Sequence, residues 1–352
     1  MGPYTAGPAF FFVNYKNSGF FIMGILLAIQ GAVSQDVLWG IMTLGVFLTF
    51  RILDIADLTV DGSFATGGAI CAVLLTRGMN PYLTLIFAFF AGILTGLCTG
   101  FMTTKLKIHV LLASILTQIA LYSVNIRIMG NKANIPLLGT KTAMKLFSGL
   151  FKNVKMTVTT SSLIIGVIFV AILVAVMYWF LGTEIGASLR ATGNNEKMVR
   201  ALGVNTDTMK IMGLGLSNGL VALSGAMVAQ SQGYADVQMG VGTIVIGLAS
   251  IIIGEVIFGK HFGLWWTLIS VVLGSVMYRI VIAVVLQLGL KSTDLKLLTA
   301  LIVAVALSVP TFKAKVFKKK IGVAVNDDEN TRHSNVINKH QDKEAGKLGD
   351  NK

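Results

Sequence analysis

Apolar residues run through this chain in long unbroken stretches rather than in alternation. The stretches fall near residues 36–52, 63–76, 82–103, 109–128, 162–181, 209–231, 242–258, 264–287 and 296–310. Several reach about 18 residues or more, the length an α-helix needs to cross roughly 30 Å of hydrocarbon. A transmembrane barrel would show short strands with alternating polar and apolar residues. The pattern predicts an all-α polytopic membrane helix bundle with discontinuous helices and about 8–10 membrane segments. The stretch 63–76 is too short to cross alone. It follows Asp61-Gly62, so it reads as a half-helix or as a span lengthened by its neighbours. Residues 19–33 are apolar and short; an interfacial helix, the outer part of the first span and a separate span all fit.

The two ends differ from the middle. Residues 1–18 hold Gly2, Pro3, Gly7 and Pro8 and are expected to form a flexible N-terminus. A cleaved signal peptide fits badly, because the first basic residue is Lys16 and the apolar run feeds into more helix. The membrane domain is expected to occupy 19–311. The tail 312–352 opens with lysines and then turns to Asn, Asp, Glu and Lys, a composition that predicts disorder.

Composition sharpens the class and charge sets the orientation. Only 13% of residues are charged, against about 25% in soluble domains. The net charge of +13 would suggest nucleic acid in a soluble protein. Here Lys and Arg collect in short loops and in the tail, as the positive-inside rule expects. A cytoplasmic tail, counted backward, puts 259–263 and 182–208 inside and 288–295, 232–241 and 129–161 outside. The outer loop 129–161 sits awkwardly with the rule: it carries Lys132, Lys141, Lys145, Lys152 and Lys155 and no acidic residue. Cys71 and Cys98 lie in apolar segments without CxxC spacing, and the histidines are scattered, so no metal site is expected. No HExxH string is present, and no catalytic residue is expected.

Two breaks look alike. Ala56–Gly62 precedes one helix rich in small residues, and Ala235–Gly242 precedes another. The orientation puts the first break inside and the second outside, the pattern of an inverted repeat. Gly92, Gly96 and Gly100, and likewise Gly215 and Gly219, are spaced four apart, which allows close helix approach. Glu255 and Arg279 are the membrane-segment charges hardest to dismiss.

The polar stretch Thr183–Lys210 stands between two apolar runs. Asn194 or Asn195 is a good N-cap, Glu196 suits the helix dipole in the first turn, and Gly203 is a natural stop. A helix of about two turns, 195–202, follows. Met198, Val199 and Leu202 lie on one face at helical spacing, with Lys197 and Arg200 elsewhere. Docking into a groove on another protein and resting on the membrane surface both fit.

The run Gly186-Ala-Ser-Leu-Arg-Ala-Thr-Gly-Asn194, then Met198-Val-Arg-Ala-Leu-Gly-Val-Asn205, resembles the coupling loop of ABC-importer permeases of the branched-chain amino-acid and ribose family. Phe50–Phe64, with Ala56-Asp-Leu-Thr-Val-Asp-Gly-Ser-Phe64, resembles a branch of that family tied mainly to amino-acid uptake, with tryptophan or tyrosine proposed for some members. The resemblance covers roughly 24–312. It implies a bacterial cytoplasmic-membrane permease that pairs as a homodimer. It further implies a cytoplasmic ATPase dimer and an extracytoplasmic substrate-binding lipoprotein as partners. This chain lacks a GxxxxGK[ST] phosphate loop, so no cofactor is expected in it; ATP and Mg belong on the partner ATPase. The residues expected to couple to that ATPase are Arg190, Gly193, Asn195, Glu196, Met198, Val199, Arg200, Ala201, Leu202 and Gly203.

A substrate pathway would need polar groups on apolar helices. Asp57, Thr59, Asp61 and Ser63 cluster at the start of a half-helix, where free N–H groups could hold a carboxylate and an Asp could pair with an amino group. Asp61 serving only as an N-cap, with Asp57 a loop charge facing water, fits as well. Gln118, Tyr122 and Asn125 share one face, and Asn218 is a further polar position; lining a path and bonding between helices both fit. A stand-alone secondary transporter or channel is the rival reading, and it would want ionisable groups deep in the membrane, of which few are present.

Overall fold

The computed structural model describes residues 18–150, 158–259 and 263–287, with isolated positions at 297, 299–301, 303, 304 and 308. The N-terminus 1–17, most of 296–310 and the tail lie outside the described residues.

Helix α1, Ser18–Phe47, is continuous through 19–33, so that stretch is the upstream part of the first helix. It closes in a π-turn, Leu48–Ile52, where the Leu53 N–H reaches back five residues to the Leu48 carbonyl at 3.2 Å. Asp54, at φ 56°, then reverses the chain. Helix α2 is Thr59–Thr76. It therefore starts four residues before the segment expected at 63 and reaches 18 residues. The Asp57 carboxylate accepts the Thr59 N–H at 2.9 Å and fixes that earlier start.

Helix α3 is Pro81–Thr104, opened by the Asn80 side chain accepting the Tyr82 N–H with proline at the first position. Helix α4, Val110–Ile128, leads to strand β1, Asn134–Pro136, and the short helix α5, Ala143–Leu150. Helix α6, Val158–Gly182, is followed by two short helices, α7 at Glu184–Asn194 and α8 at Glu196–Ala201. Helix α9 is Thr206–Gln232, strand β2 is Tyr234–Asp236, α10 is Thr243–Phe258 and α11 is Leu264–Gln287. Among the described residues seven helices are long and apolar enough to cross a membrane, and α10 is shorter.

Helices α1, α2 and α9 form the buried centre, while α3, α4 and α6 turn Phe90, Leu94, Leu112, Ile119 and Trp179 outward. Outward apolar side chains on spanning helices are what lipid requires, since hydrocarbon replaces the core on that face. Close approach holds the centre together. A Cβ at Gly96 would collide with the Leu214 carbonyl, one at Gly92 with that of Asn218, and one at Gly225 with that of Phe64. The small-residue spacing on α3 and α9 thus serves packing.

Strands β1 and β2 pair antiparallel, Ile135 opposite Ala235. This places the 129–142 segment and the end of α9 on one face of the bundle, opposite the 183–205 loop. The two sequence breaks do not lie on opposite faces. The Asp61 carboxylate accepts the Gly242 and Ile244 N–H groups, both at 2.9 Å, and the Thr243 hydroxyl at 2.8 Å. The reason is depth. Asp57 bonds Asn218, which is twelve residues into α9, about 18 Å along its axis at 1.5 Å per residue. The first break and the Gly240–Gly242 end of the second therefore meet inside the bundle. α2 runs from there toward the β face and α10 toward the loop face.

Candidate functional site

The loop between α6 and α9 is built as two capped helices rather than the single helix expected at 195–202. Thr183 caps α7 by accepting the Gly186 N–H, and Asn195 caps α8 by accepting the Met198 N–H at 3.1 Å. Gly203, at φ 89°, ends α8 and turns the chain so that the Val204 N–H bonds the Val199 carbonyl. The expected apolar face divides. Val199 is buried, whereas Met198 and Leu202 are exposed, Leu202 by 74%. The three span about 100° of the helix surface, and only the Val199 edge of that stripe meets the bundle. Val199 anchors α8 to the bundle, and Met198 and Leu202 present it outward.

The remaining loop residues sort the same way. Gly193 is an internal contact: a Cβ there would collide with the Ile52 carbonyl, so α7 rests directly on the π-turn of α1. Arg190 and Ala201 are exposed. Arg200 turns back and donates to Thr206 at 2.8 Å, Asp207 at 3.1 Å and Glu196 at 3.3 Å. Lys210 donates to Glu196 at 2.7 Å. Glu196 and Arg200 thus fasten α8 to the first turn of α9. The hydrogen bond from Lys210 is the main force holding the Glu196 carboxyl below the ordinary glutamate range; partial burial opposes it, and the Lys210 and Arg200 charges add to it.

A depressed carboxylate stabilises the fold above its unfolded value, about 4.3, and that contribution disappears as pH falls through the lower folded value. The effect is small because Glu196 is 39% exposed. Wild type is expected to melt slightly above Glu196→Gln at pH 7, with the gap closing below about pH 4; an equal gap at both pH values in thermal melts would contradict this.

The π-turn connects onward. Arg51 Nε meets Glu255 Oε1 at 2.9 Å, joining the end of α1 to the last turns of α10. Arg279 pairs instead with Asp36 at 3.2 Å and lies over the Trp39 ring. Neither partner was evident in the sequence.

Of the eight pathway residues, the structure brings four into one buried network and four to one cavity. Asp57 accepts from Asn218 at 2.7 Å, Asn218 accepts from Ser63 at 2.7 Å, and Ser63 contacts Thr95 at 2.7 Å. Thr59 contacts Thr99, which donates to Thr117. Asp57 is buried, not facing water. These groups satisfy one another and tie α2 to α3, α4 and α9. Thr95, Thr99 and Thr117 were missed by the sequence reading, although two of them sit at i, i+4 beside the glycine row of α3.

Asp61, Gln118, Tyr122 and Asn125 line a cavity of about 220 Å³, with Gly62, Ala65, Ile119, Val237 and Val241. The spacing on α4 had put its three members on one face. Asp61 is not the cap of its own helix; both its oxygens are taken by α10. The Asn125 amide donates to the Gly62 carbonyl at 3.4 Å, and its Oδ1 is buried without a partner. Among the described residues no group of three His, Cys, Asp or Glu could hold a metal. Apart from the Asp61 carboxylate, whose oxygens are taken by the start of α10, the cavity offers amide groups and a tyrosine hydroxyl on an apolar wall.

Residues 18–307 match the family model described as branched-chain amino acid transport system, permease component. The chain is 41% identical over 275 residues to a tyrosine transport system permease protein of Clostridioides difficile, covering 78% of this chain and 88% of that one. It is 32% identical over 289 residues to an uncharacterised protein of Rickettsia prowazekii, covering 81% and 98%. It is 31% identical over 173 residues to an autoinducer 2 import system permease protein of Salmonella typhimurium, covering 47% and 46%.

Proposed function

The chain belongs to the family of permease components of branched-chain amino acid transport systems, and from that premise we propose that it carries an amino acid inward through a pore made by two copies. It is the membrane subunit of an ABC importer and not itself an enzyme; ATP hydrolysis belongs to a separate subunit. The amino-acid assignment is supported by the 41% identity to a tyrosine permease over most of both chains. The cavity chemistry agrees with it, since neutral amides and a tyrosine hydroxyl can hold a zwitterion weakly enough to release it.

The observation that carries the mechanism is the 183–205 loop. In this reading it faces the cytoplasm, with the tail on the same side in the bacterial cytoplasmic membrane. Exposed Met198 and Leu202 enter a groove on an ATPase subunit that binds ATP and Mg. Arg200 and Glu196 keep α8 in place on α9. Movement of the ATPases is delivered through Gly193 to the π-turn of α1 and, through Arg51–Glu255, to α10, whose far end lies beside the cavity. An extracytoplasmic binding protein supplies the substrate.

The test is uptake of labelled tyrosine in cells holding the full transporter. The pair Met198→Asp and Leu202→Asp changes exposed side chains only, so insertion and melting should stay as in wild type. Uptake is expected to fall at least tenfold, and ATPase subunits should no longer co-purify. Normal uptake in the double variant would remove the loop from the mechanism.

A further inference from the structure

We propose that the turn Leu137–Thr140 is the docking point for the extracytoplasmic solute-binding subunit, with Leu138 entering an apolar pocket on that partner and Lys132 and Lys141 meeting carboxylates at its rim. The inference rests on the reading above, which puts the β face outside.

The turn is rigid and well tied. The Leu137 N–H donates to the Gly233 carbonyl at 2.8 Å, and the Thr140 N–H closes the turn on the Leu137 carbonyl at 3.2 Å. Gly139 sits at φ 86°, as the third position of a type II turn requires. Lys145 Nζ bonds the Thr140 carbonyl at 3.1 Å, and the Ala143 N–H bonds the Gln230 side chain at 2.8 Å. Thr142, Ala143 and Met144 are buried beneath it. On this base Leu138 is 90% exposed, more than any other described large apolar residue.

A lone exposed leucine needs no explanation. This one is held by a fixed turn and has neighbours of interface character. Exposed Pro136 stands opposite Tyr234, which is half-exposed, in the β1–β2 register. Tyrosine anchors are favoured at binding centres, and a pre-formed turn loses little entropy on docking. The cations supply direction. Lys132 and Lys141 are exposed at the two ends of this segment, on the face where the positive-inside rule disfavours them. The one carboxylate on the ribbon, Asp236, is turned to the Gln238 N–H at 2.7 Å and to Asn134 at 3.4 Å. The face is thus basic around an apolar centre, which suits an acidic-rimmed soluble partner and steers its approach.

The test uses the complete transporter in lipid nanodiscs and its purified, substrate-loaded binding subunit. Leu138→Asp is expected to weaken binding at least tenfold, and Leu138→Met to keep it within twofold. Lys141→Glu should weaken binding less and flatten its salt dependence. In all three, ATPase subunits co-purify and the assembly keeps its size. Unchanged binding in Leu138→Asp overturns the proposal, as does a changed assembly size, which would mean that a second copy covers the turn. Failure of wild type to retain ATPase subunits would instead overturn the importer reading.

Discussion

Replacing Asp61 with alanine is expected to abolish uptake and to lower the melting temperature more than any loop substitution. The carboxylate holds three groups at the start of α10: two backbone N–H groups and the Thr243 hydroxyl. They lie inside the bundle, where water is scarce and a lost partner is not replaced. An unsatisfied buried donor costs about 1–3 kcal/mol, so the buried Ile244 N–H and Thr243 hydroxyl put the effect on the order of 2–6 kcal/mol. Asparagine keeps one acceptor oxygen and should fall between aspartate and alanine in both melting and uptake. Uptake by Asp61→Ala at the wild-type rate would show that the cap is dispensable. Asparagine behaving like aspartate would show that the second oxygen contributes nothing.

The second large effect is expected at Gly96. A methyl group there meets the Leu214 carbonyl on α9, which is backbone and cannot rotate away. α3 must shift outward, and Thr95 and Thr99 on the same helix then lose Ser63 and Thr59. Overpacking of this kind costs about 1–3 kcal/mol by itself, and the broken hydrogen bonds add to it. Gly96→Ala should reduce the yield of monodisperse protein and its melting temperature, and Gly96→Leu should leave little folded material. Gly182 is the matched control, because a Cβ added there meets nothing within 4 Å and its backbone is helical. Gly182→Ala should be neutral or slightly stabilising. Equal melting of Gly96→Ala and Gly182→Ala would mean that α3 is free to move.

The fold class and the local caps were legible in the sequence because they depend on neighbours within a few residues. Apolar length predicted the spans, Asn195 and Gly203 marked α8, and the four-residue spacing of Gly92, Gly96 and Gly100 marked the α3–α9 seam. The missed pairings between helices share one physical cause. Local rules offered Asp61 either an amino group or its own helix as partner, because they see only local donors, yet the groups it caps lie 181 residues away. Arg51 with Glu255 and Asp36 with Arg279 are likewise fixed by packing between distant helices. The one-sided apolar face of α8 failed for a different reason. Spacing says which residues adjoin on a helix, but not which of two adjoining faces meets the bundle. The cavity was half legible: Gln118, Tyr122 and Asn125 follow from one helix, whereas Val237 and Val241 arrive from a loop a hundred residues on.

The joining of α2 and α10 through Asp61 also constrains how the protein is made. α10 has 16 residues, about 24 Å of helix, too short to cross by itself. Its first N–H groups have nowhere to go in hydrocarbon until a carboxylate is present. Synthesis from the N-terminus guarantees that order, because α2 leaves the ribosome about 180 residues before α10 and its acid is already in the membrane. α10 is thus a segment that an insertion machine would reject on hydrophobic length alone and accept only on a template laid down earlier in the same chain. A circular permutant that places α10 ahead of α2 would carry every contact of the native protein and still stall at insertion.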